Sequence, residues 1–251
     1  MPHIISPQNA RLKSLRRLST RRERERSGRF FAEGEDLIAA AARAGRPALE
    51  GYRLAGSGLG DDNFFDVERS ALGIVSSLGS GTRVIGVYEQ CWGAAAGPLC
   101  VYLHGVADPG NVGAVLRSAH AFGASSVALG PGCADPHSPK AVRASMGAIF
   151  AVALARIADV CELPGERLAL LADAGETLLQ ASARSAGSPL TLLVGAEREG
   201  LPPGLLAACD RVARIPIASE SLNAAMAATV ALYEMTRHAS DAPTSSRVRA
   251  S

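Results

Sequence analysis

The chain has 251 residues, enough for one large domain or two small ones, and its 47% hydrophobic content is ample for a core. Aromatic residues make up only 4%, so we expect that core to consist mainly of Ala, Leu and Val. No apolar run approaches the roughly 20 residues of a membrane helix, which argues against a membrane protein. The first apolar residues give way at once to arginines, so we expect no signal peptide and a cytoplasmic protein.

The net charge of +2 conceals an uneven distribution. Residues 1–29 hold nine Lys and Arg against Glu23 and Glu25, a net charge of +7, so the rest of the chain carries −5. A basic arm on an acidic body favours a polyanionic partner, nucleic acid before membrane. Taken alone, a charge run of this kind is better explained as a solvated, arginine-rich helix.

The first part of the chain predicts a basic arm followed by a small α/β unit. Residues 1–29 are polar and predict a basic helix or a flexible arm, and apolar residues at helical spacing between Leu37 and Gly45 predict a helix. The small unit is expected to span residues 30–92, and the breaker-rich stretch 93–98 is expected to be a linker. Its strands are predicted at residues 52–54, 73–75 and 83–88.

The second part alternates apolar strands with helices, which predicts a mainly parallel sheet covered on both faces. This domain is expected to span residues 99–238, and residues 239–251, which have no periodicity, are expected to be a disordered tail. Strands are predicted at residues 99–103, 126–129, 148–154, 168–172, 190–194 and 212–217. Helices are predicted at residues 112–122, 139–145, 203–209 and from Leu222 through Met226 and Thr229 to Tyr233.

The cysteines predict neither a disulfide framework nor a zinc site. Their number is odd, they form no C-x-x-C pair, and three of them lie in apolar runs, so we expect buried free thiols in a reducing compartment. They are Cys91, Cys100, Cys133, Cys161 and Cys209.

Residues 110–113 (GNVG) open a helix that follows a strand. They do not form a G-x-G-x-x-G pattern, so a Rossmann dinucleotide site is not supported. Glycine allows close approach of the backbone, and the free N–H groups of a helix start suit a phosphate. A tight turn with an Asn cap explains the same residues equally well.

Polar side chains follow two further strands. Glu197 and Glu199 could serve acid–base chemistry, but no His accompanies them, so a metal site is improbable, and acids also favour helix N-termini. Ser221 and Asn223 are ordinary helix caps. Arg117 lies opposite the apolar face of its helix, where a solvated Arg is the simple interpretation and recognition of phosphate or carboxylate is the functional one.

Three of these segments together resemble the SpoU-type branch of the SPOUT superfamily, the AdoMet-dependent RNA ribose 2′-O-methyltransferases. Residues 108–119 (DPGNVGAVLRSA) resemble the first motif of the family, residues 194–201 (VGAEREGL) the second, and IPI at 215–217 through SLNAA at 221–225 the third. Residues 139–147 resemble its mid-domain segment. Residues 30–90 are similar, less specifically, to the small RNA-binding domain that often precedes the catalytic one.

The resemblance implies a SPOUT domain with a deep trefoil knot, a homodimer through that domain, and AdoMet bent in the knot. It also implies that Arg117 activates the ribose in the partner subunit's site, and that Glu197 orients Arg117. Because Arg is a very poor base, we expect phosphate positioning and stabilisation of the 2′-oxygen before proton abstraction. The residues expected around ribose and cofactor are Asn111, Arg117, Glu197, Ser221 and Asn223. The expected cofactor-binding residues are Leu193, Gly195, Ala196, Ile215, Pro216, Ile217, Ser221 and Leu222. The expected RNA-binding residues are Arg11, Lys13, Arg16, Arg17, Arg21, Arg22, Lys140 and Arg143.

The expected function is methyl transfer to a ribose 2′-hydroxyl, with ribosomal RNA favoured over tRNA by analogy with two-domain relatives, no metal and no membrane partner. The alternative is a non-catalytic RNA-binding or ribosome-assembly protein that keeps the fold. The intact set of motif residues argues against that alternative, and the missing glycine fingerprint argues against an oxidoreductase.

Overall fold

A computed structural model of the chain describes residues 3–76, 81–185, 187–218 and 221–240, the last with side chains to residue 237. The helices are α1 (Ala10–Arg17), α2 (Arg21–Ser27), α3 (Glu35–Arg43), α4 (Arg69–Val75), α5 (Pro109–Ala121), α6 (Pro139–Ala144), α7 (Leu178–Ser185), α8 (Pro203–Ala207) and α9 (Ala224–Ser240). The strands are β1 (Arg29–Glu33), β2 (Glu50–Leu54), β3 (Phe64–Val67), β4 (Val84–Glu89), β5 (Leu99–Leu103), β6 (Ser126–Leu129), β7 (Ala153–Arg156), β8 (Glu166–Leu170), β9 (Leu190–Val194) and β10 (Arg211–Ala213).

The basic arm forms α1 and α2, which pack on the small unit. Leu12 and Leu15 are almost fully buried in one apolar cluster with Tyr52 and Leu72 of that unit. Asn9 caps α1, because its side chain accepts a hydrogen bond from the N–H of Arg11 at 2.9 Å. The helical alternative for this segment is therefore observed, and the flexible arm is not.

The small unit has a four-stranded mixed sheet in the order β1-β4-β2-β3. β4 pairs antiparallel with β1 and β2, and β2 pairs parallel with β3. β1 and β3 were not predicted, and the predicted strand at 73–75 is wrong. Those residues end α4, whose buried side chains Ala71, Leu72 and Val75 fall on one helical face, and a short apolar run does not distinguish the two structures.

The large unit has a six-stranded sheet in the order β10-β8-β9-β5-β6-β7, and all of its strand pairs are parallel. One face packs on α5, α7 and α9, and the other packs on α8 and the segment around Val160 and Leu163. The predicted α/β fold with a mainly parallel sheet is confirmed, while the deep trefoil knot stays a prediction.

Several predicted strands and helices of the large unit have different bounds in the structure. Residues 148–154 were predicted as one strand, but Ala148–Phe150 form a 3-10 turn and the strand begins at Ala153. The predicted strand 212–217 ends at Ala213, which leaves residues 215–217 free to line a site. Helix α7 was not predicted. The disordered tail expected at residues 239–251 is wrong for residues 239 and 240, which belong to α9, and its other residues lie outside the described part of the chain.

The small side chains of α9 are buried against other elements of the same protomer. This face packs against α5, where Ser118 and Thr229 hydrogen-bond through their hydroxyls at 2.6 Å. Met226 and Tyr233, two of the residues from which this helix was predicted, are 62% and 55% exposed. An alanine face is narrow, so it allows the two helices to approach closely and turns the bulkier residues outward. The buried residues of α9 include Ala224, Ala225, Ala228, Ala231 and Leu232.

The cysteines differ in burial. Cys100 is buried, Cys133 and Cys209 are half-buried, Cys91 and Cys161 are exposed, and all five are free. The expectation of buried thiols therefore holds fully for Cys100 alone.

Among the described helices none is long and apolar enough to cross a membrane.

Candidate active site at the carboxyl edge of the large sheet

The loops that follow β5 and β9 meet at one edge of the large sheet, because neighbouring parallel strands end at the same edge. Asp108 caps α5 by accepting hydrogen bonds from the N–H groups of Gly110 at 2.6 Å and Asn111 at 3.1 Å. Lys140 of α6 donates to the same carboxylate at 2.6 Å. The bond from Lys140, aided by the two backbone N–H groups, holds the pKa of Asp108 below its ordinary value. The start of α5 is thereby fixed.

Three of the predicted residues form a directional hydrogen-bond chain. The Oδ1 of Asn223 accepts the N–H of Ala225 at 2.9 Å and caps α9, so its amide nitrogen faces away from the helix. That nitrogen donates to Oδ1 of Asn111 at 3.1 Å, and the amide nitrogen of Asn111 donates to Glu197. Capping and site chemistry therefore use opposite ends of one Asn side chain. The chain ends on the exposed carboxylate of Glu197.

A cavity of about 320 Å³ lies beside this chain, between the ends of β8 and β9 and the start of α9. Its volume falls near the lower end of small-molecule sites. Six of the eight expected cofactor-binding residues line it: Gly195, Ala196, Ile215, Ile217, Ser221 and Leu222. Glu197 lines the same cavity, so the hydrogen-bond chain ends at its wall.

Leu193 and Pro216 do not line this cavity. Leu193 is fully buried on the other face of the sheet, because neighbouring residues of a strand point to opposite faces, and Val194 lines the cavity instead. Pro216 is exposed between two lining isoleucines. Residues 170–172 at the end of β8 also line the cavity and were missed. Since β8 had been predicted, the rule that parallel strands end at one edge could have found them.

The loop of the second motif closes on itself. Gly200 donates its backbone N–H to the carbonyl of Ala196 at 2.9 Å. A Cβ placed at Gly195 would lie 2.3 Å from the carbonyl carbon of Gly200, so no larger residue fits without moving the loop. Gly195, expected among the cofactor-binding residues, thus allows the close approach of its own loop.

Arg117 lies apart from the hydrogen-bond chain. It follows Asn111 by six residues, which in a helix places it about 9 Å along the axis and roughly a third of a turn away. Its side chain is exposed, and within the described ranges no carboxylate pairs with it. The expected orientation of Arg117 by Glu197 is therefore not formed inside one chain, where Glu197 binds Asn111 instead.

The expected RNA-binding side chains are all exposed, but three of the eight are paired with carboxylates. Arg11 pairs with Glu50 at 3.0 Å, Arg21 with Glu25 at 2.8 Å and Lys140 with Asp108. Within the part of the chain that the structure describes, no carboxylate pairs with the other five. These are Lys13, Arg16, Arg17, Arg22 and Arg143.

Among the described residues, no group of three or more His, Cys, Asp or Glu side chains is placed to hold a metal ion. The histidines were expected to lie away from the acids of the second motif. His137 is buried beside Asp135, at the junction between the two units.

The family model described as the SpoU rRNA methylase family matches residues 98–233. The chain belongs to the SpoU rRNA methylase family. A second model, described as an MRM3-like substrate binding domain, matches residues 9–55, which cover α1, α2 and part of the small sheet. This match joins the basic helices to the small unit, as their packing does.

The relatives that the chain resembles include two curated proteins and one solved structure. An uncharacterised tRNA/rRNA methyltransferase of Mycobacterium bovis is 39% identical over 145 residues, which are 54% of this chain and 50% of the relative, so the match spans about half of that relative's length. RlmP of Bacillus subtilis, a 23S rRNA guanosine 2′-O-methyltransferase, is 27% identical over 94% of this chain and 99% of its own. A crystal structure of an AdoMet-bound rRNA methyltransferase from Sinorhizobium meliloti covers 94% of this chain and 98% of its own, with 29% identity and a TM-score of 0.84.

Proposed function

We propose that this chain is an AdoMet-dependent RNA methyltransferase that transfers a methyl group to a ribose 2′-hydroxyl, most favourably of ribosomal RNA. The single observation that carries the proposal is the hydrogen-bond chain from Asn223 through Asn111 to Glu197, which ends at the wall of a cavity of small-molecule size. Family membership and the 2′-O-methyltransferase name of the B. subtilis relative support it.

The cavity fits AdoMet in both its apolar and its polar parts. Val194, Ile215 and Leu222 supply apolar walls for a flat adenine, and the closed loop at residues 195–200 offers backbone groups for hydrogen bonds. When bound, AdoMet supplies an electrophilic methyl group on a sulfonium sulfur. The chain's own task is to hold a ribose hydroxyl in line with that methyl group and to ease the loss of its proton.

Asn111 and Glu197 are placed to hold the ribose. Glu197 lines the cavity and Asn111 donates to it, and this bond fixes the amide of Asn111 so that it cannot turn over. The planar guanidinium of Arg117 suits an RNA phosphate and the charge that develops on the 2′-oxygen. Since Arg117 does not reach Glu197 within one chain, we propose that it acts in the site of a partner subunit.

We further propose a homodimer formed through α9, where Met226, Val230 and Tyr233 present an exposed apolar stripe on the helix that Asn223 caps. Stripes of this kind mark interaction surfaces. The basic helices with the small unit, residues 1–92, are proposed to bind RNA, and residues 99–238 to carry the chemistry. We expect the protein to act on ribosomal RNA in the cytoplasm.

Methylation of total RNA with labelled AdoMet, followed by mapping of the modified position, tests this function. We expect label on one ribose 2′-oxygen of ribosomal RNA. Calorimetry with AdoMet alone separates the enzyme from a non-catalytic RNA-binding protein, which need not bind the cofactor. AdoMet binding without transfer to any RNA would contradict the proposal.

A further inference from the structure

A second groove lies at the same edge of the large sheet as the candidate active site, beyond β6 and β7. It has a volume of about 420 Å³ and is lined by Arg21, Trp92, residues 129–136 and residues 156–158; we call it the Trp92 groove. In the sheet order β9-β5-β6-β7, three strand intervals separate the two sites. At about 4.8 Å an interval, they are roughly 14 Å apart along the sheet.

The floor of the Trp92 groove carries a preformed stack. The guanidinium carbon of Arg156 lies 4.1 Å from the centroid of the Trp92 ring, within the range of a cation–π contact. Trp92 is half-buried and Arg156, the last residue of β7, is exposed. The ring therefore holds the guanidinium of Arg156 in contact while the Arg156 side chain stays exposed to solvent.

The charge of Arg156 is available to a ligand. Within the described ranges no carboxylate lies in ion-pair distance of it. The acid of the groove, Asp135, is already paired with buried Arg24 at 2.7 Å, so it does not neutralise the groove. Arg21 adds a second guanidinium at the rim, although Glu25 shares it. The groove thus combines an aromatic–guanidinium stack with net positive charge.

We infer that the Trp92 groove binds an unpaired nucleotide of the RNA substrate, a short distance along the strand from the methylated ribose. Its base would stack on the Trp92–Arg156 pair, and its phosphate would meet Arg156 or Arg21. Proteins that bind single-stranded RNA use this combination of stacking surface and positive charge. The inference rests on the proposed function, because it takes the ribose at Asn111 and Glu197 as the neighbouring position.

Trp92 is the only tryptophan of the chain, so its fluorescence reports on the surroundings of this one ring, which lines the groove. The full chain would be titrated with single-stranded RNA of about 12 nucleotides, and binding would be followed separately by the anisotropy of a dye on the RNA. We expect Trp92 fluorescence to be quenched along the same binding curve. Arg156→Ala should weaken binding about 10-fold, and Arg156→Lys should restore only part, because a point charge lacks the planar surface.

Arg184→Ala is the matched control, since Arg184 is 74% exposed on α7, away from the groove. It should bind RNA like the wild type, and all variants should keep wild-type AdoMet affinity, which checks their folding. The groove alone would be overturned if the wild type bound and methylated RNA with unchanged Trp92 fluorescence, and if Arg156→Ala bound RNA with wild-type affinity. A wild type that binds and methylates no RNA would overturn the proposed function and the groove with it.

Discussion

The guanidinium of Arg24 lies 2.7 Å from the carboxylate of Asp135, and the two side chains are only 3% and 9% exposed. Arg24 also donates to the carbonyls of Leu18 and Ser19, each at 2.8 Å. Asp135 in turn accepts the backbone N–H of His137 at 2.8 Å. This pair joins the second basic helix to a loop of the large sheet 111 residues later. One arginine of the basic run therefore serves the fold, while its neighbours face solvent.

Removing one member of this pair should destabilise the protein strongly. Arg24→Met leaves the Asp135 carboxylate buried without its partner, and we expect the free energy of unfolding to fall by about 3–5 kcal/mol. Urea unfolding at neutral pH measures this change. Arg22→Met, at an exposed position of the same helix, should change stability by less than about 0.5 kcal/mol. Equal stability of the two variants would show that the buried pair does not hold the units together.

The sequence could not distinguish Arg24 from its neighbours, because its role depends on a contact with a residue far along the chain. The central strands β5, β6 and β9 were predictable, since each is a short apolar run bounded by turn residues, whereas the edge strands β7 and β10 only overlap their predicted ranges. The position of the site was largely predictable for the same reason: Gly195 directly follows β9, and Asn111 lies at the start of α5, the helix that comes after β5. The choice between Leu193 and Val194 required the phase of the strand relative to the cavity. The face of α9 that is buried required knowledge of its partner helix.

Arg117→Ala should abolish methyl transfer and leave AdoMet affinity within a few fold, because Arg117 lies apart from the cavity wall. Arg117→Lys should also fail, since an ammonium cannot reproduce the planar fork. Filter assays with labelled AdoMet measure transfer, and calorimetry measures binding. His120→Ala, an exposed position of the same helix, serves as the control and should retain activity. Near wild-type transfer by Arg117→Ala would return this residue to an ordinary surface role.

The exposed stripe of α9 should be the dimer interface. Tyr233→Glu places a charge in the stripe and should yield monomers in sedimentation velocity. Leu179→Glu is the control: Leu179 is equally exposed, at 55%, but lies on α7 outside the stripe, so this variant should remain dimeric. Mixing Arg117→Ala subunits with Glu197→Ala subunits should then restore part of the activity through hybrid dimers. If hybrids form and stay inactive, the two residues do not act in one shared site.

Stability should depend on pH through His137. Burial lowers the pKa of His137 to about 4, assisted by Arg156 and Arg24 and opposed by Asp135. The native state therefore keeps this ring neutral, while the unfolded chain protonates it near its ordinary pKa of about 6.5. The unfolded state binds more protons between these values, so the free energy of unfolding should fall as the pH drops from about 6.5 to about 4.

His137→Asn isolates this term, because Asn does not titrate. Between pH 7 and pH 5 the wild type should lose about 2 kcal/mol more than the variant. Urea unfolding at both pH values gives the difference, in which the carboxylates common to both proteins cancel. Identical pH dependence of the two proteins would mean that His137 is protonated in the native state as readily as in the unfolded chain.

The basic helices should supply most of the RNA affinity, but deleting residues 1–29 does not test this, since Leu12 and Leu15 belong to the core of the small unit. Replacing the unpaired side chains Lys13, Arg16, Arg17 and Arg22 with Gln keeps both helices and their buried faces. It removes four positive charges from a segment of net +7 on a body of net −5. The remaining surface then attracts phosphate only weakly.

Each lost phosphate contact should reduce the salt dependence of single-stranded RNA binding by about 0.7 in the log–log slope, so four contacts account for nearly 3. Affinity for RNA, measured by anisotropy from low to moderate salt, should fall most at low salt, and AdoMet affinity should not change. Arg83→Gln and Arg69→Gln, at exposed positions outside the basic helices, should leave the slope within about one contact. A quadruple variant with the wild-type slope would mean that RNA is held by another surface, and the division of labour between residues 1–92 and residues 99–238 would be wrong.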